Sequence, residues 1–361
     1  MNNPVIVKES APHIRRKATV ARMMLDVIIA LVPVIIFSFI AWGLKALMII
    51  GISLVAWIGS EAVYVGIRNQ FPKSTDKHTF KEKIKHAYSA YTINNFLGPV
   101  VSALIFAMAM PAGASWYHVL IGSLFGSILG KLVFGGLGSN IFNPAVVGMC
   151  SAKLMFGGSY QTINNSLLPD AFSSATPLQA DLGTYSMLDL FLGKTNGTLG
   201  EVSALCILIG LIYLLVRRSA DFRVTFSYLG TFLFYILIAG IFYSKAGYDY
   251  GTFIGTQMLS GGLLFGATFM LTDPVTSPIN KPNRILYGMI AATFTVIIRL
   301  FGGLPEGVGF SILLSNMLVP VLDYYKWSTP RFTKKFWIIG SVLLVIGLLV
   351  VCLALGIGGV K

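Results

Sequence analysis

The sequence predicts an all-α integral membrane protein: ten transmembrane helices in two inverted five-helix repeats, with an extra span at the C-terminus. Three observations carry this expectation. The 361 residues are 55% hydrophobic and only 11% charged, whereas soluble domains carry roughly 25% charged residues. Apolar runs long enough to cross ~30 Å of hydrocarbon recur along the whole chain. Lys and Arg cluster in the short connections between those runs, always at connections that alternation places on one side of the membrane.

In order, the apolar periodicity places spans at 22–41, 46–67, 95–112, 116–137, 142–157, 201–216, 224–243, 251–272, 284–302, 306–323 and 336–357. The first follows His13, Arg15, Arg16 and Lys17, but it is too long for a signal peptide and no small-residue cleavage site follows it, so it is expected as a retained helix. The fifth is short, begins at Asn143-Pro144, and suits a half-crossing. The chain divides into a first membrane repeat (1–157), an extracytoplasmic loop (158–200), a second membrane repeat (201–323) and a C-terminal basic segment with the extra span (324–361).

Orientation follows from the basic residues. The Arg15–Lys17 cluster, the loop with Arg68, Lys73, Lys77, Lys81, Lys83 and Lys85, the Arg217/Arg218/Arg223 group, Lys281 with Arg284, and Lys326 through Lys335 all fall on one side by alternation. The positive-inside rule makes that side, and the N-terminus, cytoplasmic. Loop 158–200, with Asp170, Asp181 and Asp189 against Lys194, is then extracytoplasmic. The net charge of +13 is topology charge; it forms no basic stripe with interleaved aromatics, and nucleic acid is not an expected partner.

The two halves resemble each other. Phe106-Ala-Met-Ala-Met-Pro111 precedes a helix ending Phe134-Gly-Gly-Leu137 and then Asn143, and Phe269-Met-Leu-Thr-Asp-Pro274 precedes one ending Phe301-Gly-Gly-Leu304 and then Asn316. Five spans per half is an odd number, so the second half is inverted relative to the first. Gly122, Gly126 and Gly130 share one helix face and predict close helix packing. The Gly-rich stretches at 138–144 and 261–268 lack the spacing of nucleotide-binding loops and read as helix breaks.

Charges inside membrane segments are costly and mark candidate sites. Glu61, Asp26 and Asp273 are therefore candidates for an ion path, with Asp26 near enough to its span end for an interfacial role instead. Lys131 and Arg299 lie near helix ends, where snorkelling to the interface is the alternative. Cys150, Cys206 and Cys352 stand singly in apolar segments; no disulfide framework, iron–sulfur site or other metal site is expected.

Several stretches together resemble a known family: Ala11-Pro-His13, Gly135 through Ala145, Asp170 through Leu178, Gly266-Ala-Thr268 with Thr272 through Thr276, Arg299 through Gly303, Glu306 through Phe310 and Val319 through Asp323. The chain is similar, nearly end to end, to the D-type subunit (RnfD) of Rnf-type ion-translocating electron-transport complexes, related to the B-type subunit of the sodium-pumping NADH:quinone reductase. In that family a flavin transferase joins FMN through its phosphate to a threonine in a pattern like Asp-x-x-Ser/Thr-Gly-Ala-Thr. The resemblance thus implies Thr176 as a phosphoester acceptor, within a motif of Asp170, Ser173, Ser174 and Ala175; Ser174 stands where the family usually has Gly. Thr268 also follows Gly-Ala but falls inside a span.

The implied activity is that of a membrane subunit of an ion-translocating (Na⁺ or H⁺) ferredoxin:NAD oxidoreductase complex. It relays electrons through covalent FMN and has no NAD or ferredoxin site of its own. A second, non-covalent riboflavin is implied in the membrane part, where no motif marks it. Implied partners are the other redox and membrane subunits, the flavin transferase during maturation, and membrane lipid; the implied location is a prokaryotic inner membrane. The extra span at Phe336–Leu355 departs from the family pattern. The residues alone also admit a cofactor-free transporter or channel built on inverted repeats, or a purely structural membrane protein.

Overall fold

The computed structural model describes residues 19–68, 88–89, 91–160, 164–168, 176–302 and 307–358, and among them it is all-helical. Each segment expected to be a span has a helical counterpart. Thr19 caps α1 (Val20–Trp42) by accepting from the Arg22 amide at 3.3 Å. Gly43, at φ 54°, permits the reversal into α2 (Leu44–Arg68). The first half continues with α3 (Ile93–Met108), α4 (Trp116–Ser127), which runs into a π-helical turn at Ile128–Leu132, and α5 (Pro144–Phe156).

A short helix inside the long loop, α6 (Met187–Leu192), carries no apolar period that would have marked it as a span. Then follow α7 (Ala204–Arg217), α8 (Phe222–Lys245), α9 (Tyr250–Leu259), α10 (Leu263–Phe265) with a second π-helical turn at Gly266–Met270, α11 (Lys281–Phe301), α12 (Val308–Leu322) and α13 (Lys334–Gly358).

Five helices (α1, α2, α8, α11 and α13) are long and apolar enough to cross a bilayer, and α9 with α10, bent by 45° at their break, makes a sixth. The apolar helices α3, α7 and α12 have 16, 14 and 15 residues, which at ~1.5 Å per residue is short of ~30 Å. The chain is therefore a multi-pass membrane protein with five to six candidate spans among the described residues.

Glycine permits the tightest packing. A Cβ on Gly122 would lie 2.9 Å from the Ala152 Cβ, one on Gly126 2.8 Å from the Pro144 carbonyl, and one on Gly130 2.9 Å from the Pro144 Cα. The expected glycine face of α4 is thus the seat of α5. On the other side of the bundle, α8 packs along α11. There Tyr228 of α8, Thr295 of α11 and Ser311 of α12 form a buried hydroxyl chain, at 2.9 and 2.7 Å.

Candidate functional site

Two helix breaks define a cavity. α4 loses its regular pitch at the π turn, whose last residues include Lys131, and the chain then crosses left-handed glycines at 135, 136 and 138 before α5 begins. Asn143 starts α5: its side-chain oxygen accepts from the Ala145 and Val146 amides, with Pro144 in the first turn. The Asn143 amide nitrogen donates at 3.0 Å to the Met270 carbonyl in the second π turn. π turns are rare and recur at functional sites; here one from each half faces the same space.

That space is a cavity of about 460 Å³, bounded by α1, α3, the two π turns and the start of α5. Its walls are mainly apolar, including Met24, Val27 and Ile105, and its polar points include Lys131, Asn140, Asn143, Thr268 and Asp273. The Thr268 hydroxyl is buried with no hydrogen-bond partner among the described residues. Thr268 therefore does not bond its own helix backbone, the usual habit of a helical threonine.

The charges at this cavity are paired in a way the sequence did not specify. Lys131 meets Glu61 of α2 at 3.0 Å, each side chain 3% exposed. The amine lies against α3 at Gly98, where a Cβ would come within 3.4 Å of it. Asp273, half-buried on the cavity wall, accepts from the Val275 amide and the Thr276 hydroxyl. Lys131, paired to Glu61, and Asp273, from the other half of the chain, thus line one cavity. Asp26, buried in α1 beside the cavity-lining Met24 and Val27, pairs with Arg217 at 3.0 Å and accepts from Tyr213 and from Ser219, itself on the cavity wall, clasping α1 to the end of α7.

Snorkelling fails for both basic residues near the helix ends. Lys131 is turned inward by its carboxylate partner, and Arg299 is drawn into the α9–α10 break. The Arg299 guanidinium donates to the carbonyls of Gln257 (2.7 Å), Gly261 (3.0 Å) and Ser260 (3.3 Å), and its centre lies 5.1 Å from the Phe232 ring centroid. A cation at carbonyls left free by a helix C-terminus is electrostatically favourable.

Of the threonine motif, Asp170, Ser173, Ser174 and Ala175 lie outside the described residues. Thr176 opens a turn in which its carbonyl accepts from the Gln179 and Ala180 amides at 2.8 and 2.9 Å. Its side chain is half-buried, and its hydroxyl oxygen is covered and has no partner among the described residues. A hydroxyl with no partner among the described residues fits the acceptor of a phosphoester, since none of their hydrogen bonds must be given up.

Sequence reasoning missed the Asn143–Met270 bridge and the Glu61–Lys131 pair. The Asn-Pro helix start was a signal for the first; nothing local marks a partner 70 residues away for the second.

The NQR2, RnfD, RnfE family pattern matches residues 7–331. The D-type subunit of the Na(+)-translocating ferredoxin:NAD(+) oxidoreductase complex of Acetobacterium woodii is 33% identical over 342 residues, covering 93% of this chain and 96% of that protein. The D-type subunit of the proton-translocating complex of Clostridium ljungdahlii is 31% identical, with 90% and 96% covered. The B-type subunit of the Na(+)-translocating NADH-quinone reductase of Chromohalobacter salexigens is 30% identical, with 90% and 85% covered. With 325 consecutive residues, 7 through 331, matched by the family pattern, the chain belongs to the NQR2, RnfD, RnfE family.

Proposed function

We propose that this chain is the RnfD-type membrane subunit of an ion-translocating ferredoxin:NAD oxidoreductase complex and relays electrons through FMN esterified to the Thr176 hydroxyl. The Thr176 oxygen, without a partner among the described residues and at the head of a hydrogen-bonded turn, supports the attachment site, and the similarity over 90% or more of the chain to the D-type subunits of two such complexes supports the assembly. Bound FMN supplies one- and two-electron chemistry. The chain contributes the hydroxyl, the turn that orients it, and the membrane anchor. Ferredoxin and NAD act on partner subunits, while a flavin transferase and membrane lipid complete the partner set. The N-terminus is cytoplasmic and the Thr176 loop extracytoplasmic in this reading.

The non-covalent riboflavin belongs, in the same reading, in the membrane cavity. A volume of about 460 Å³ lies within the ~300–1,000 Å³ of ligand pockets, and apolar walls with few polar points are what such a ring system needs. Lys131, Asn140, Asn143 and Thr268 are the residues able to hold its polar edge.

Ion movement is proposed to pass the Glu61–Lys131–Asp273 group, because buried charges facing a cavity are the usual mark of an ion route. Asp26, clasped by Arg217 and bonded by Ser219 on the wall of the same cavity, is the third carboxylate candidate for that route. The A. woodii and C. ljungdahlii relatives are named for different ions at 33% and 31% identity. Overall similarity therefore does not select the ion.

The decisive experiment is in-gel fluorescence after co-expression with a flavin transferase. The wild-type band is expected to glow under ultraviolet light after denaturation, and Thr176→Val to be dark. A dark wild-type band overturns covalent FMN and favours a cofactor-free carrier; a glowing variant moves the attachment elsewhere.

A further inference from the structure

The Thr176 turn rests on a constructed seat. Gly261 and Gly262 form the break between α9 and α10 with φ of 68° and 69°, a conformation that favours glycine. A Cβ on Gly261 would collide with the Leu178 side chain and lie 2.8 Å from an Arg299 nitrogen. Leu178, two residues from Thr176, thus fills the space that Gly261 leaves open, directly beside the Arg299 guanidinium. Arg299 is 8% exposed and holds the break by the bonds from its two terminal nitrogens to the Gln257, Ser260 and Gly261 carbonyls. One cation therefore fixes the shape of the seat and stands beside Leu178, two residues from the Thr176 hydroxyl.

We propose that Arg299 is a positioning residue for the Thr176 site: it shapes the break on which Leu178 seats the turn, and it supplies the nearby buried positive charge for a phosphate-linked redox group. This rests on the covalent-flavin reading. The chemistry argues for both roles. A phosphodiester and a group that gains negative charge on reduction are both stabilised by a fixed cation in a low-dielectric surrounding, where charge interactions are several-fold stronger than in water. Two residues span about 7 Å at most, so a group esterified at Thr176 starts within reach of that field. The planar fork of arginine suits the carbonyl set, and lysine would keep the charge while losing the geometry.

The test uses the assembled complex, co-expressed with a flavin transferase, as wild type, Arg299→Gln, Arg299→Lys and Leu178→Ala. In Arg299→Gln and Leu178→Ala the Gln179 and Ala180 amides are expected to exchange hydrogen about tenfold faster, because the turn leaves its seat. Arg299→Gln is also expected to lower the midpoint potential of the covalent flavin, and Arg299→Lys to restore it toward wild type without restoring slow exchange. A wild-type potential in Arg299→Gln overturns the charge role, and wild-type exchange in Leu178→Ala overturns the seat. Leu178→Ala leaves Arg299 in place and keeps the seat testable if Arg299→Gln does not assemble. A dark wild-type band in the denaturing gel overturns the covalent-flavin reading itself, while the exchange measurement still decides the seat.

Discussion

Glu61 and Lys131 show what one buried pair demands. With both side chains 3% exposed and 3.0 Å apart, neither charge is tolerable without the other, since breaking a buried pair by removing one partner costs about 3–5 kcal/mol. Glu61→Gln alone is therefore expected to lose about that much stability, measured by thermal unfolding of the purified chain. Glu61→Gln/Lys131→Met should regain most of it, because replacing both charges by neutral groups of similar volume is often neutral. The same double variant separates stability from transport. If the pair lies on the ion route, complexes carrying it assemble and transfer electrons yet move ions at least about tenfold more slowly in proteoliposomes. Full ion transport by that complex would remove the pair from the route. The sequence disclosed two charges in apolar segments but not their pairing, which depends on how α2 meets the π turn after α4.

At the scale of elements, breaks matter more than regular helices. Two π turns bring Lys131 and Thr268 to one cavity, and the α9–α10 break receives the Thr176 turn. Helix interiors between them are set by close approach. Gly126→Ala places a methyl group within 2.8 Å of both the Pro144 carbonyl and the Trp57 ring. It is expected to cost about 1–3 kcal/mol by overpacking, read as a lower unfolding temperature, whereas Gly230→Ala on α8, where a Cβ meets open space, is expected to be neutral or stabilising. The glycine spacing on α4 was legible because it repeats on one face. The π turns were not, because an extra residue in a helical turn leaves no fixed composition, and the two do not fall at matching positions of the Phe-x₄-Pro repeat.

For the whole molecule, α13 is the distinguishing part. It lies beyond the residues matched by the family pattern, is the most apolar of the candidate spans, and packs on α8 and α11, where Gly347 lets the Tyr235 hydroxyl approach. If α13 crosses the membrane, reporter fusions after residue 331 and after Lys361 should report opposite sides, the first cytoplasmic. Identical reports from both would make α13 a helix that does not cross, and would reverse the proposed count of crossings. Segment positions and the membrane class needed only the sequence, because hydropathy and helix periodicity are summed over neighbouring residues. The family was legible for a similar reason: its motifs are short and local. The Glu61–Lys131 pair, the Asn143–Met270 bridge and the seating of Leu178 beside Arg299 needed tertiary structure, because each joins residues 70 to 127 positions apart or depends on a break in a helix. Such contacts follow from how helices pack against one another, which no local pattern records.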